Sequence, residues 1–132
     1  LAAADVVHAQ NLMNPTALER VVSTGRAFVT IQDHRSFCPG PGRTLPEGTP
    51  CDTAMSDTAC TRCLPDPDYR RRLLSLPHAR LEALSGARVL VLSRYMAKEL
   101  HQAGVGDGKG YGRVVGAAQA HLSDAFEHGH YR

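Results

Sequence analysis

Apolar positions change period several times along the chain, and those changes mark out its elements. Asp5-Val6-Val7-His8-Ala9 is a short apolar run of the kind a buried strand carries. Asn14 followed by Pro15 reads as a helix start, an N-cap with Pro at the first helical position. Ala17, Leu18, Val21 and Val22 then recur at helical spacing, and Gly25 is placed to end that helix. Ala27-Phe28-Val29-Thr30-Ile31, β-branched and aromatic, predicts a second strand. From Cys38 to Asp68 all periodicity disappears into Pro, Gly, Thr and Asp. At about 30 residues this stretch far exceeds an ordinary loop, which points to function, cross-linking or disorder.

Helical spacing returns over Tyr69 to Leu84 with Leu73, Leu74, Leu76, Leu81 and Leu84, and Pro77 is expected to kink or split that helix. Arg88-Val89-Leu90-Val91-Leu92 predicts a third strand. Ser93 caps a short helix carrying Tyr95, Met96 and Leu100, which Gly104 ends. Glycine then occupies every second position from Gly104 to Gly112, the pattern of a flexible linker. Arg113 to His128 reads as a last helix with Val115, Ala118, Leu122, Ala125 and Phe126 along one face. No internal repeat is visible. The alternation of strands and helices calls for an α/β fold with a mostly parallel, Rossmann-like sheet and right-handed connections. Residues 1–105 form that domain with a cysteine-rich insertion at 38–63, and 106–132 form the linker and terminal helix.

Composition narrows the function classes. The 132 residues suit one domain with a modest core. A net charge of +2 supplies no basic field for nucleic acid, and 5% aromatics without Trp offer little for stacking on bases. No apolar run approaches the roughly 20 residues of a membrane span, and LAAADVV is too short and lacks the basic start of a signal peptide. A cytoplasmic protein is expected. Its first residue is not Met and lies almost on a strand, which suggests a processed or truncated start.

The chemistry concentrates in the aperiodic stretch. All four cysteines, Cys38, Cys51, Cys60 and Cys63, fall there with spacing C-x12-C-x8-C-x2-C. Four thiolates complete a tetrahedral zinc site and leave no position open for water or substrate, so the expected zinc is structural. Metal binding also explains how such a loop is ordered without a core of its own. The alternatives are two disulfides, which suit a secreted domain, and an iron–sulfur cluster. A redox pair at Cys60–Cys63 fits less well, because that motif opens a helix directly after a strand.

Three segments, DVVHAQN, VTIQDHRSFCP with its downstream cysteines, and ARVLVLSRYMAKELHQAGV, resemble a known family. Asp5 to Val105 is similar to the N-terminal, acceptor-side domain of family-4 retaining glycosyltransferases of GT-B architecture, in the subgroup with a C-P…C…C-x-x-C insertion. The resemblance implies a sugar acceptor, a nucleotide-sugar donor and transfer of a hexose. Where the family commonly ends its strand in His-Asp, with that His close to the donor sugar, this chain has Gln32 followed by Asp33 and His34. Gln cannot ionise, so it hydrogen-bonds a hydroxyl but does not act as acid or base. Gln32, Asp33 and His34 are the expected catalytic positions. The resemblance stops near Val105 and leaves no room for the family's C-terminal, nucleotide-sugar-binding domain with its Glu-x7-Glu element. A fragment, or a half completed by a partner chain and inactive alone, is therefore expected.

Ligands of parallel sheets gather at the carboxyl ends of strands. His8, Gln10, Asn11 and Ser93 are placed there with Gln32 and Asp33, as expected substrate contacts. Lys109 is followed by Gly110 rather than Ser or Thr, so the glycine run is not a phosphate loop. His121, Asp124 and His128 share a helical face, which reads as a solvated polar face rather than a metal site. Arg70, Arg71 and Arg72 read as a solvated charged turn. The rival class is a non-enzymatic zinc-binding or interaction module.

Overall fold

The computed structural model describes residues 4–106 and 114–116. Strands β1 (Val7–Gln10), β2 (Ala27–Ile31), β3 (Arg88–Val91) and β4 (Val114–Gly116) form one sheet in the order β1-β2-β3-β4. Every pairing is parallel, with Val29 opposite Val89 and Val91 opposite Gly116 in the ladder. Helices α1 (Pro15–Val22), α2 (Pro67–Ala83) and α3 (Arg94–Gln102) alternate with the strands. The fold is therefore α/β with a small parallel sheet. No described helix is long and apolar enough to cross a membrane.

Local chemistry sets the helix ends. Asn14 Oδ1 accepts the Ala17 N–H at 3.0 Å, with Pro15 in the first turn where its missing N–H costs nothing. Asp66 does the same for α2, accepting the Tyr69 N–H at 2.8 Å, and Ser93 Oγ caps α3 through the Met96 N–H at 3.1 Å. Gly25 (φ 69°) and Gly104 (φ 93°) follow α1 and α3 in the left-handed conformation that stops a helix. Helix α2 is continuous through Pro77, so of the two outcomes expected there the split does not occur. The ring costs one intrahelical hydrogen bond. It is itself buried, with Arg70 and Leu74 before it and Leu84 after it.

One face of the sheet makes the core. Ala9, Val29, Ile31, Val89 and Val91 join Leu18 of α1, Leu84 after α2, and Met96 and Leu100 of α3 in a single cluster. All three helices thus lie on that face. Strand alternation places His8, Gln10, Phe28, Thr30, Arg88 and Leu90 on the other. There His8 Nε2 bonds Thr30 Oγ1 at 2.8 Å, and the Arg88 guanidinium stands 5.1 Å from the centre of the Phe28 ring.

Between Phe37 and α2 the chain has one isolated bridge, Thr44 to Pro50, and one 3₁₀ turn, Ala59–Thr61. It is held from both sides by arginines. Arg70, expected as part of a solvated turn, is buried and reaches Asp57 at 2.9 Å and the Leu64 carbonyl at 2.7 Å. Arg43 Nε stands 2.8 Å from Glu99 of α3, the two side chains being 11% and 9% exposed.

Val114–Gly116, expected as the start of the terminal helix, is instead strand β4 beside β3. Two adjacent β-branched valines favour the extended form, and a ready parallel edge supplies the hydrogen bonds. The rest of the linker and helix, with Lys109, His121, Asp124 and His128, lies outside the described residues.

Candidate functional site

All four cysteines line one cavity of about 20 Å³, closed by Phe37, Met55 and Leu64 among others. None is in a disulfide. Three pieces of backbone bring them there. Cys38 sits on the turn that follows β2, where its Sγ receives the Arg43 N–H at 3.4 Å. Arg43 is left-handed (φ 62°), a conformation that turns its N–H toward Cys38 while its carbonyl accepts the Cys51 N–H at 2.8 Å. Cys60 and Cys63 lie on and just after the Ala59–Thr61 turn. Gly40 runs between two of the sulfurs: a Cβ there would stand 3.9 Å from both Cys38 Sγ and Cys63 Sγ.

Burial pushes the Cys60 and Cys63 thiols up, and the neighbouring cysteines push them further the same way. Gathering negative sulfur here is unfavourable without a cation. As they stand, no group of three or more His, Cys, Asp or Glu among the described residues is arranged to hold a metal ion. The four cysteines nonetheless line the same cavity. The donor set itself, four sulfurs with a backbone N–H on one of them, is suited to a thiophilic ion.

A second cluster occupies the carboxyl ends of β1 and β2. Asn11 leaves β1 in the left-handed conformation (φ 47°), its N–H bonded to Thr30 O at 2.8 Å. Its amide bridges the gap between strands, donating to Asp33 Oδ2 at 2.9 Å and accepting the Gln32 N–H at 3.3 Å. Asp33 caps the short turn His34–Ser36 through the Arg35 N–H at 2.9 Å and also takes Arg35 Nε at 3.0 Å. The Arg35 side chain, helped by Asn11 against some desolvation, holds the Asp33 carboxyl far below the usual carboxylate range. Arg80 of α2 ties the cluster down by donating to Met13 O at 2.6 Å and Arg35 O at 2.8 Å.

The expected site residues therefore separate. Asn11, Gln32 and Asp33 meet. Gln10 and Gln32 have exposed side chains at adjacent strand ends. His34 turns away: its Nε2 donates to Gly40 O at 3.0 Å, and a Cβ on Gly42 would stand 3.1 Å from its Nδ1. It braces the cysteine loop rather than extending the strand-end site. His8 is bonded to Thr30 on the sheet, and Ser93 is spent on capping α3.

Sequence reasoning missed Arg35, Arg43, Arg80 and Glu99, and read Arg70 as part of a solvated turn. Only Arg35 carried a local signal, as the second residue after an Asp that leads a turn. A further groove of about 330 Å³ lies between the cysteine loop, α2 and α3, lined by Phe37, Met55, Leu81, His78 and the Arg43–Glu99 pair. No family model, curated protein or solved structure matches the chain.

Proposed function

We propose that this chain is the acceptor-side unit of a retaining glycosyltransferase of GT-B architecture, one that binds and orients a sugar acceptor beside a nucleotide-sugar-binding domain. The observation that carries the reading is the continuity of strand-end cluster and cysteine loop. Asp33 anchors one end of a short turn, and the next residue, His34, plants its ring under the Gly40 and Gly42 backbone. The loop is thereby seated at the carboxyl edge of the sheet, where an acceptor would lie. The exposed amides of Gln10 and Gln32 each offer donors and an acceptor to sugar hydroxyls. Asp33 stays a carboxylate committed to Arg35 and Asn11, so it orients backbone and moves no proton. The chain is inactive alone on this reading.

Within it, Cys38, Cys51, Cys60 and Cys63 hold a structural zinc ion, reached by rotation of the thiols within their shared cavity. The ion supplies charge compensation and cross-linking to a loop that has little secondary structure of its own. Four unbridged thiols suit a reducing, cytoplasmic setting.

The second reading is a zinc-binding interaction module without catalysis, favoured by the engagement of both Asp33 and His34 in structural contacts. Elemental analysis with an absorption spectrum tests the metal: one zinc per chain without visible absorption is expected, and a brown protein with charge-transfer bands means iron–sulfur. Saturation-transfer NMR against a panel of monosaccharides then divides the two readings. Signals lost on Gln32→Ala support acceptor binding, and no signal from any sugar favours the module. Calorimetry with nucleotide sugars is expected to show no binding by residues 1–132, and tight binding would overturn the acceptor-side assignment.

A further inference from the structure

A buried carboxylate is stable where donors occupy its lone pairs, because water no longer does so. Glu99 of α3 falls short of that condition. Its side chain is 9% exposed, and Arg43 is its one partner among the described residues. Arg43 Nε stands 2.8 Å from Glu99 Oε2, yet that N–H makes no aligned hydrogen bond. The guanidinium is also committed elsewhere, donating from Nη1 to Thr53 O. Charge thus compensates the Glu99 carboxylate, while its capacity to accept hydrogen bonds, about four sites, is left over. Both side chains line the groove of about 330 Å³ between the cysteine loop, α2 and α3, a size that suits a small molecule. Phe37, Met55 and Leu81 give the groove an apolar side, and Asp52 and Gln102 stand exposed at its rim. Besides His78, two carboxylates there share a single guanidinium.

We propose that this groove binds a small organic amine, its apolar body against Phe37, Met55 and Leu81 and its ammonium donating to Glu99 and Asp52. An ammonium brings three donors to the under-supplied carboxylate, together with the positive charge that the lining lacks. A hydroxyl brings one donor and no charge. A carboxylate would add a third negative charge beside the two already there. The larger groove between α1 and α2, about 620 Å³, makes the contrast. Its carboxylates, Glu19 and Glu82, are both exposed to water, and no aromatic, Leu or Met lines it. Burial of the acceptor and an apolar wall coincide in the first groove and not in the second. The inference does not depend on the sugar or zinc readings.

Three probes with one ring and different heads test it: benzylamine, benzyl alcohol and benzoate, titrated in phosphate buffer into the isotope-labelled chain and followed by amide shifts. Benzylamine is expected to saturate at about millimolar concentration, with its shifts gathered at residues 52–55, 78–81 and 99–103. Benzyl alcohol should bind about tenfold more weakly for want of a charge-assisted bond, and benzoate should not bind. Glu99→Gln should remove the preference for amine over alcohol. Because that change can loosen the attachment of Arg43, Gln102→Lys is made too. At an exposed position it adds a cation to the rim, and it should weaken benzylamine several-fold while the amide spectrum stays dispersed. Glu82→Gln, in the groove between α1 and α2, should leave benzylamine binding unchanged. Absence of saturable benzylamine shifts, equal binding of the three probes, or shifts centred on Glu19 and Glu82 would each overturn the proposal. So would a Glu99→Gln chain that keeps its preference for the amine.

Discussion

Arg43 does more than its place in a Pro/Gly-rich loop suggests, because one residue sets both the shape of the loop and its attachment. Its left-handed backbone holds Cys38 and Cys51, and its side chain reaches Glu99 on α3. Removing one partner of a buried pair leaves the other charge unpaired, so Arg43→Ala is expected to cost about 3 kcal/mol in urea unfolding. Glu99→Gln keeps a polar acceptor and should cost less, and the double variant should cost less than the sum. Additive losses would show that the two side chains do not interact. Asp33 makes a pH-dependent contribution. Its folded pKa is depressed, so its stabilisation is fully present above the unfolded value near about pH 4 and is lost as pH falls toward the folded one. Asp33→Asn should therefore be less stable than the parent at neutral pH, with the gap shrinking below about pH 4. A gap constant across urea titrations at several pH values would refute the Arg35–Asp33 lock.

Helices α1 and α3 begin where their caps stand in the sequence, because capping is chemistry between residues three apart. Ser93→Ala should lower stability by about 1 kcal/mol, and thermal unfolding of Ser93→Gly should show a smaller loss, since glycine is itself an accepted cap. Equal losses from both would mean that the Ser93 hydroxyl contributes little. The two elements that depart from local expectation, α2 and β4, do so for non-local reasons. Pro77 would break an isolated helix, but on α2 Arg70, Leu74 and the ring itself are buried and the helix continues past it. Val114–Gly116 becomes a strand because β3 presents a free parallel edge. Neither partner is within reach of a sequence window.

For the whole molecule, the division lies between a sheet stabilised by its own ladder and a loop stabilised from outside. The loop contributes one isolated bridge and one short turn, against continuous pairing through β1, β2 and β3. If zinc holds the four cysteines, a strong chelator should raise amide exchange across residues 38–65 while β2 and β3 keep their protection. Unchanged exchange in the loop would argue against a structural metal.

The sequence by itself determined the alternation of strands and helices, the caps that start the helices, and the gathering of four cysteines in one aperiodic loop. These follow from periodicity, turn chemistry and spacing, which act over a few residues. Only the tertiary structure decided that Asn11 and Asp33 interlock while His34 turns to the cysteine loop. It also decided that Arg70 is buried on Asp57 and that all three helices choose one face. Each of those outcomes depends on which distant backbone lies alongside, and that is set by strand order and core packing rather than by any local run of residues.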